Sequence, residues 1–174
     1  MIVKKTKFKD LYIFEGKRFI DKRGEFREIM LQKKIKNKIL FTVFSRSKKN
    51  VLRGLHIQTK KMQGKFITVV KGKILDVAVD CRKNSKTFGK AYKTILSAKN
   101  CKSVYIPPNF LHGFLCLEKD NFVVYGCTNY RHKLSEIGVK WNDPDLKINW
   151  GTKKPLLSKK DKNNIFFKDL KKQK

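Results

Sequence analysis

The feature that most restricts the fold of this chain is a short-range alternation of apolar and other residues with a period of two. The clearest stretch is 66–80 (FITVVKGKILDVAVD), which predicts two strands broken at a tight turn around Gly72. Successive side chains of a strand point to opposite faces. The second strand therefore has one apolar face and one mixed face, on which we interpret Asp76 and Asp80 as structural hydrogen-bonding groups.

Other stretches of the chain show the same alternation and are separated by turn signals. We predict further strands at residues 11–14, 39–44, 92–96, 103–106, 113–117 and 121–128. Short helices are predicted only near 30–37 and 158–163, the second with Ser158 as its cap and Asp161 at the third position. Many short strands without a long helical period indicate an all-β antiparallel sandwich or barrel.

The 174 residues predict one domain, spanning 1–174, with a basic end at 168–174 (KDLKKQK) that we expect to be a frayed tail. Hydrophobic residues make up 40% of the chain, which is enough to fill a core. No apolar run approaches the roughly 20 residues of a membrane-spanning helix, so no membrane partner is expected. The four cysteines lack CxxC spacing and predict reduced thiols in a cytoplasmic protein.

The formal charge of +29 first suggests a nucleic-acid-binding protein. However, 36 of the 43 basic residues are Lys and only 7 are Arg, whereas phosphate and base recognition favour the bidentate Arg fork. The basic residues are also spread over the whole chain instead of forming one block. We therefore interpret most of the charge as a solvated Lys-rich surface and expect no nucleic-acid partner.

The three histidines are more informative than the charge. His56 lies in VLRGLHIQ (51–58), close to Arg53, and His112 lies in IPPNFLHGFL (106–115). His132 lies in a polar stretch and is interpreted as a surface residue. Taken alone, His56 is as consistent with a structural histidine as with a base beside an anion-binding group.

Several kinds of chemistry find no support in the sequence. Three histidines without an HxH pair and a following Glu do not predict a metal site, so none is expected. No GxSxG, GxGxxG or P-loop motif occurs, and no cysteine lies in a Cys/His motif. What remains is an acid/base site built from His56, a carboxylate, a Tyr and cations, which suits proton abstraction next to a carbonyl group.

The chain resembles the dTDP-4-dehydrorhamnose 3,5-epimerases of the cupin-like nucleotide-sugar epimerases, from about residue 8 to residue 170. The resemblance is carried by nine motifs in order: DKRGEFRE (21–28), SKKNVLRGLHIQ (47–58), QGKFITVVKGKILDVAVDCR (63–82), TFGK (87–90), LSAKN (96–100), IPPNFLHGF (106–114), YGCTNY (125–130), WNDPDLKINW (141–150) and LSKKD (157–161). It implies a cupin-like jelly-roll sandwich that acts as a homodimer, with residues 1–30 exchanged between subunits and no metal or organic cofactor. The implied reaction inverts C3 and C5 of a nucleoside-diphosphate-4-keto-6-deoxyhexose.

The resemblance also implies roles for individual residues. His56 matches the base that removes the protons next to the C4 ketone, and Asp161 matches the carboxylate that orients it. Tyr125 matches the acid on the opposite face, and Lys65 matches the cation at the ketone oxygen. The alternative for Asp161 is a cap of the short C-terminal helix, and the alternative for Tyr125 is a core residue.

Further positions match substrate contacts of the family, namely Arg23, Glu28, Arg53, Gln58, His112 and Glu136, and Arg131 is a candidate contact to the base. Among them, Arg23 and Glu28 are implied to come from the exchanged N-terminal segment, and Arg53 is implied to contact the diphosphate. Two departures bear on the nucleotide. The family commonly has amide side chains where this chain has Phe41 and Val43, and often a second Tyr where it has Arg131.

These departures keep other functions open beside 3,5-epimerisation of dTDP-4-dehydro-6-deoxyglucose. One alternative is epimerisation at C3 alone or 3,4-ketoisomerisation of a different nucleotide sugar. Another is a non-catalytic sugar- or nucleic-acid-binding barrel.

Overall fold

The computed structural model describes residues 1–172, with every side chain among them except that of Lys34. Most of its regular structure is β-strand. The strands are β1 (Ile2–Lys5), β2 (Tyr12–Glu15), β3 (Phe19–Asp21), β4 (Gly24–Phe26), β5 (Phe41–Lys48), β6 (Leu52–Gln58), β7 (Lys65–Lys71), β8 (Lys73–Asp80), β9 (Ala91–Ser97), β10 (Lys102–Ile106), β11 (Phe110–Cys116), β12 (Asp120–Cys127) and β13 (Glu136–Gly138). The helices are α1 (Lys159–Lys162) and α2 (Phe167–Lys172). Neither they nor the other helical turns of the described chain are long and apolar enough to cross a membrane.

The strands form two antiparallel sheets that face each other. The larger sheet has the order β1-β2-β10-β7-β12-β5, and the smaller has the order β13-β6-β11-β8-β9. The hairpin of β3 and β4 is separate from both. The predicted all-β sandwich is confirmed, and most predicted strands lie within about two residues of observed ones.

Three groups of buried apolar side chains hold these layers together. One lies between the sheets and includes Ile67, Ile74 and Phe114. The second lies on the outer face of the smaller sheet, where Trp150 and the α2 residues Phe167 and Leu170 cover it. The third lies on the outer face of the larger sheet and consists of Phe14, Ile35, Phe66 and Tyr105.

The break at Gly72 is a corner between the sheets rather than a hairpin. Strand β7 belongs to the larger sheet and β8 to the smaller one, so the two do not pair. Gly72 has a φ of +83°, and a Cβ there would lie 2.3 Å from the Asp120 carbonyl oxygen. At such a φ and with so close a backbone neighbour, glycine is the residue that fits.

The carboxylate at the far end of β8 has the structural role predicted for it. Asp80 is fully buried and accepts hydrogen bonds from the Arg82 guanidinium and from the hydroxyls of Ser85 and Thr87. Burial opposes its ionisation, but these hydrogen bonds prevail and lower the pKa of Asp80 to about 2. Asp80 thereby fastens the loop that connects β8 to β9.

Two sequence expectations about local structure need correction. The expected frayed tail at 168–174 is wrong for residues 168–172, which belong to α2 and bury Leu170 against the smaller sheet. Residues 173 and 174 lie outside the described residues. The helix expected near 30–37 is reduced to a single 3₁₀ turn, Gln32–Lys34. The helix expected near 158–163 is confirmed as α1, with Ser158 Oγ accepting a hydrogen bond from the Asp161 backbone N–H.

Strand β6 was not among the strands predicted from the alternation of apolar residues. It contains a β-bulge at Gly54. On β11, His112 and Phe114 are two residues apart, yet they oppose His56 and Arg53, which are three residues apart on β6. Gly54 has a φ of +120°, and a Cβ there would lie 2.6 Å from the Gly113 Cα. The extra residue brings both Arg53 and His56 to the inner face of the sheet.

We predict that Gly54→Ala destabilises the protein more than Gly24→Ala does. Both glycines have a similar positive φ, +120° and +129°, but a Cβ on Gly24 meets nothing within 4 Å. Each substitution carries the same backbone strain, and only Gly54→Ala adds overpacking against β11, worth about 1–3 kcal/mol. Chemical denaturation measures both free energies of unfolding. Equal losses for the two variants would show that the close approach to Gly113 carries no energetic weight.

Candidate active site

A cavity of about 500 Å³ opens between the two sheets. The smaller sheet and the adjoining C-terminal segment contribute one wall, and the larger sheet contributes the opposite wall. The lining residues that the sequence predicted as site residues are Arg53, His56, Gln58, Lys65, His112, Tyr125, Arg131, Glu136 and Asp161. Nine predicted side chains from distant parts of the chain therefore meet in one place.

A short hydrogen bond at the site joins His56 to Asp161. The His56 Nε2 lies 2.6 Å from the Asp161 Oδ1, and the carboxylate is buried while the imidazole is 27% exposed. Ser158 Oγ lies 3.0 Å from the Asp161 Oδ2, and Asn164 Nδ2 donates to the Oδ1 at 3.4 Å. Burial opposes ionisation of Asp161, but the hydrogen bond and charge of His56, with the help of Ser158, lower its pKa. An ionised partner fixes the imidazole and stabilises it once protonated.

A second His–Asp pair lies beside the first. His112 opposes His56 across β11 and β6, and its Nε2 lies 2.8 Å from the Asp76 Oδ2. Both members of this pair are buried, with the Asp76 carboxylate on β8 behind the imidazole. The hydrogen-bonding role predicted for Asp76 is therefore the one it has, and it orients a histidine that faces the cavity.

Tyr125 and Lys65 approach from the larger sheet, opposite the histidines. Burial raises the pKa of the Tyr125 phenol and lowers the pKa of the Lys65 ammonium. Within residues 1–172, neither the phenol oxygen nor the ammonium nitrogen has a hydrogen bond or ion pair. Both groups are therefore available to a ligand, and the histidines face them across the cavity.

Arg53 brings a second cation to this space. Its Nε donates a hydrogen bond to the Ser47 Oγ at 3.0 Å, which holds the Nε side of the guanidinium against β5. No other described side chain or backbone group binds the terminal nitrogens, which are left for an anion, and the charge of Arg53 acts to lower the pKa of Tyr125 against the larger effect of burial. The arrangement suits a phosphate group, whose oxygens accept parallel hydrogen bonds from a guanidinium.

A cluster of three charged residues lies at another part of the cavity. The Glu136 carboxylate accepts hydrogen bonds from the Arg131 Nε at 2.6 Å and Nη2 at 3.2 Å, and also binds the Lys160 ammonium. The Arg131 contact is the main cause that lowers the pKa of Glu136 to about 2. Lys160 was missed by the sequence reasoning, although its place next to Asp161 in α1 was a usable signal.

Phe41 and Val43, which stand where the family commonly has amide side chains, also line the cavity. Phe41 and Val43 lie on the inner face of β5, and Val43 opposes Tyr125 in the sheet. The Phe41 ring stacks on Tyr130, with ring centres 5.6 Å apart and planes at 14°. This part of the cavity wall is therefore apolar and aromatic.

Three predicted contacts differ from the rest in their placement. The Gln58 amide donates to the backbone of Lys61 and Tyr130 and accepts from the backbone N–H of His132, so it mainly holds loops. Arg23 and Glu28 are not among the residues that line the cavity, and both are exposed. Their predicted contribution to a partner subunit's site stays a prediction.

The sequence also predicted no metal site and no cofactor. Over residues 1–172, no three His, Cys, Asp or Glu side chains form a group that could hold a metal ion. The expectation that the protein works without either stays a prediction.

Comparison with known proteins gives one consistent result. The sequence model of the dTDP-4-dehydrorhamnose 3,5-epimerase family matches residues 5–169. A curated dTDP-4-dehydrorhamnose 3,5-epimerase from Shigella flexneri is 43% identical over 176 residues, with 97% of each chain covered.

Two crystal structures extend this similarity to the fold. The dTDP-4-dehydrorhamnose 3,5-epimerase of Elizabethkingia anophelis NUHP1 has a TM-score of 0.90 and 42% identity, with 97% of each chain covered. The dTDP-6-deoxy-D-glucose-3,5-epimerase of Legionella pneumophila Philadelphia 1, in complex with dTDP-4-keto-L-rhamnose, has a TM-score of 0.90 and 38% identity. That match covers 95% of this chain and 92% of the other. On the combined ground of the matched family model, the similar sequences and the shared sandwich, the chain belongs to the dTDP-4-dehydrorhamnose 3,5-epimerase family.

Proposed function

We propose that the protein converts dTDP-4-dehydro-6-deoxyglucose to dTDP-4-dehydrorhamnose by inverting C3 and C5. The observation that carries this proposal is the placement of His56 on one sheet, paired with Asp161 of α1, opposite the Tyr125 phenol on the other sheet. Inversion needs a base on one face of the sugar and an acid on the opposite face. His56 on β6 and Tyr125 on β12 face the cavity from opposite sheets, which supports these two roles.

In this mechanism His56 takes a proton from a carbon next to the C4 ketone. The electron pair of the broken C–H bond moves into an enolate, whose oxygen carries the negative charge. The Lys65 ammonium stabilises that oxygen, and Asp161 stabilises the imidazolium. Tyr125 then delivers a proton to the same carbon from the other face and is reprotonated from solvent. His56 releases its proton to solvent, and the same steps then repeat at the second carbon.

The remaining cations suit the nucleotide part of the substrate. Arg53 offers free guanidinium nitrogens to the diphosphate, and His112 offers a polar edge within the cavity. Arg131 and Glu136 lie at the aromatic side of the cavity and belong to the nucleotide region of the proposal. The free thiols of all four cysteines support the cytoplasmic location that we propose for the enzyme.

We further propose that the enzyme works as a homodimer with exchanged N-terminal segments. Within residues 1–172 the β3–β4 hairpin pairs with neither large sheet, and it exposes large apolar side chains, with Phe19 62%, Ile20 66% and Phe26 69% exposed. Such a patch is expected to be covered by another protein surface. In the partner's cavity, Arg23 and Glu28 from this segment would complete the set of substrate contacts.

The direct test of the reaction is solvent isotope exchange. With dTDP-4-dehydro-6-deoxyglucose in deuterated water, we expect deuterium at both C3 and C5, detected by NMR or mass spectrometry. Label at C3 alone would replace the proposal with C3 epimerisation, and movement of the ketone would replace it with 3,4-ketoisomerisation. No label with any nucleoside-diphosphate 4-keto sugar would end the enzyme proposal.

Two variants separate the base from the acid. We expect His56→Ala to lower exchange by about 10²–10⁴-fold, because no other group takes the proton. Tyr125→Phe should continue to exchange, since His56 returns deuterium to the same face, while inverted product forms far more slowly. His132→Ala serves as the matched control, because its ring binds Ser135 outside the cavity. A Tyr125→Phe enzyme that inverts at the normal rate would exclude the phenol as the acid.

The proposed role of Lys65 predicts how kcat/KM depends on pH. Its pKa is lowered below 10.5, so the ammonium is lost as the pH rises through that lowered value, whereas Tyr125 stays protonated beyond pH 10. We expect kcat/KM to fall on the alkaline side below pH 10.5 and Lys65→Met to lose most activity. In Lys65→Arg the guanidinium stays charged, and the alkaline fall should disappear. An unchanged alkaline limb in that variant would assign the limb to another group.

Subunit mixing tests the exchanged dimer. Arg23→Ala and His56→Ala are each expected to be inactive, because one lacks a substrate contact and the other lacks the base. When the two are unfolded and refolded together, a hybrid dimer contains one site with both residues intact. Random pairing should restore about a quarter of the wild-type activity per subunit. No recovery, with hybrids confirmed by native mass spectrometry, would contradict the exchange.

A further inference from the structure

The N-terminal part of the chain leaves the sandwich after β2 and returns to it at the same place. We call residues 17–26, which contain the β3–β4 hairpin, the arm. Before the arm, the Gly16 backbone N–H donates to the Cys101 carbonyl oxygen at 3.0 Å. After the arm, the Arg27 guanidinium donates to the Ala98 carbonyl oxygen at 3.1 Å. Both acceptors lie in the connection between β9 and β10, so the arm is a loop whose two ends are held at one turn.

The arm is held together internally rather than by the sandwich. Strands β3 and β4 pair with each other, and Arg18 binds Glu25 at 3.2 Å across the hairpin. The Asp21 carboxylate accepts hydrogen bonds from both the backbone N–H and the guanidinium of Arg23. Among the described groups, no hydrogen bond joins residues 17–26 to the sandwich. The direction of the arm is therefore set at its two ends.

Arg27 makes the stronger attachment at these ends. Its Nη1 donates to the Ala98 carbonyl oxygen, and its Nη2 donates to the Val69 carbonyl oxygen at 2.5 Å. Val69 belongs to β7 of the larger sheet, whereas Ala98 directly follows β9 of the smaller sheet. A guanidinium presents its N–H groups in a rigid fork, and hydrogen bonds from a charged donor are the strong ones. Arg27 thus fastens the end of the arm to both sheets at once.

This attachment lies away from the cavity of its own chain. Arg27 is not among the residues that line the cavity. Val69 is four residues along β7 from Lys65, which does line it, and four residues of a strand span about 13 Å. An effect of Arg27 on catalysis must therefore be transmitted through the arm.

The arm and the residue after Arg27 carry two of the proposed substrate contacts, Arg23 and Glu28. This inference rests on the proposed function and on its exchanged dimer. We propose that Arg27 is a positioning residue, which fixes the arm in the direction that brings Arg23 and Glu28 to the substrate in the other subunit's cavity. Arg27 itself touches no substrate, and its effect is on substrate binding in the other subunit.

The first test separates binding from chemistry. We expect Arg27→Ala to raise KM by about tenfold, the usual effect of losing hydrogen bonds from a charged group. The kcat should stay within about twofold, because contacts away from the reacting carbons are alike in ground state and transition state. Arg27→Lys keeps a charged donor and should recover part of the loss.

Arg46→Ala is the matched control for this test. The Arg46 guanidinium also makes two hydrogen bonds to a distant part of the chain, but its acceptor is Asp120, outside the arm and the cavity. We expect its KM and kcat to equal those of the wild type. An unchanged KM in Arg27→Ala, or a fall in kcat alone, would overturn the inference.

Hybrid dimers show in which subunit Arg27 acts. In the first hybrid, one subunit carries His56→Ala and the other carries Arg27→Ala, and two affinity tags isolate the mixed dimer. Its one site with a base receives an arm with Arg27 intact, so we expect the wild-type KM. In the second hybrid, one subunit carries both substitutions and the other is wild type. Its one site with a base receives the altered arm, so KM should rise about tenfold.

The order of these two KM values decides the inference. A residue that merely stabilises its own subunit would raise KM in the first hybrid and not in the second, and that result would overturn the inference. Equal KM values in the two hybrids would overturn it as well. The same pair built with Arg27→Lys should give the same order with a smaller difference, which keeps the test decisive if Arg27→Ala does not fold.

Failure of the inference is distinguishable from failure of the proposed function. If the wild-type enzyme exchanges deuterium at C3 and C5 but the hybrids give the wrong order, only the positioning role of Arg27 in the other subunit is lost. If the wild-type protein exchanges with no nucleoside-diphosphate 4-keto sugar, the proposed function fails, and the inference fails with it.

Discussion

The site depends on one packing constraint, the approach of the β6 and β11 backbones at Gly54 and Gly113. A Cβ on either glycine would meet backbone atoms of the other strand at 2.6–2.8 Å, so only a glycine pair allows the strands to pair here. The resulting bulge changes which face of β6 the side chains occupy. Leu52, Leu55 and Ile57 pack on the outer core of the sheet, while Arg53 and His56 turn inward. Without the extra residue a strict alternation would place those two side chains on opposite faces.

This bulge also explains how far the sequence predicted the structure. Strands such as β9 and β12 keep a regular alternation and were predicted within one or two residues. Strand β6 was not predicted, because the bulge breaks its period of two, although the strand holds His56. The corner at Gly72 was predicted as a turn, but alternation within a strand contains no information about which sheet the strand joins. For the same reason Leu170 was assigned to a frayed tail, since its burial depends on distant residues of the smaller sheet.

The sequence predicted which residues form the candidate site better than it predicted the contacts between them. Nine predicted residues line the cavity, and among them His56 and Asp161 form a hydrogen-bonded pair. The sequence connected these two residues only through the resemblance to the epimerase family. The stack of Phe41 on Tyr130 and the Glu136 contact with Lys160 join residues far apart in the sequence. Nothing in their local sequence signals these contacts, and Lys160 is one lysine among 36. Such pairings follow only from the three-dimensional arrangement.

The formal charge of +29 and the chemistry of the cavity are largely separate matters. Of the cations that line the cavity, Arg131 and Lys160 are bound to Glu136, which leaves Arg53 and Lys65 for a ligand. Lys65 is half-buried and, within residues 1–172, has no ion-pair partner, so its removal from water costs free energy and lowers its pKa. An enolate oxygen beside it would return that free energy, because the interaction strengthens in surroundings that exclude water. A stabilisation that grows as negative charge develops on the substrate favours the transition state over the ground state, which is the requirement for catalysis.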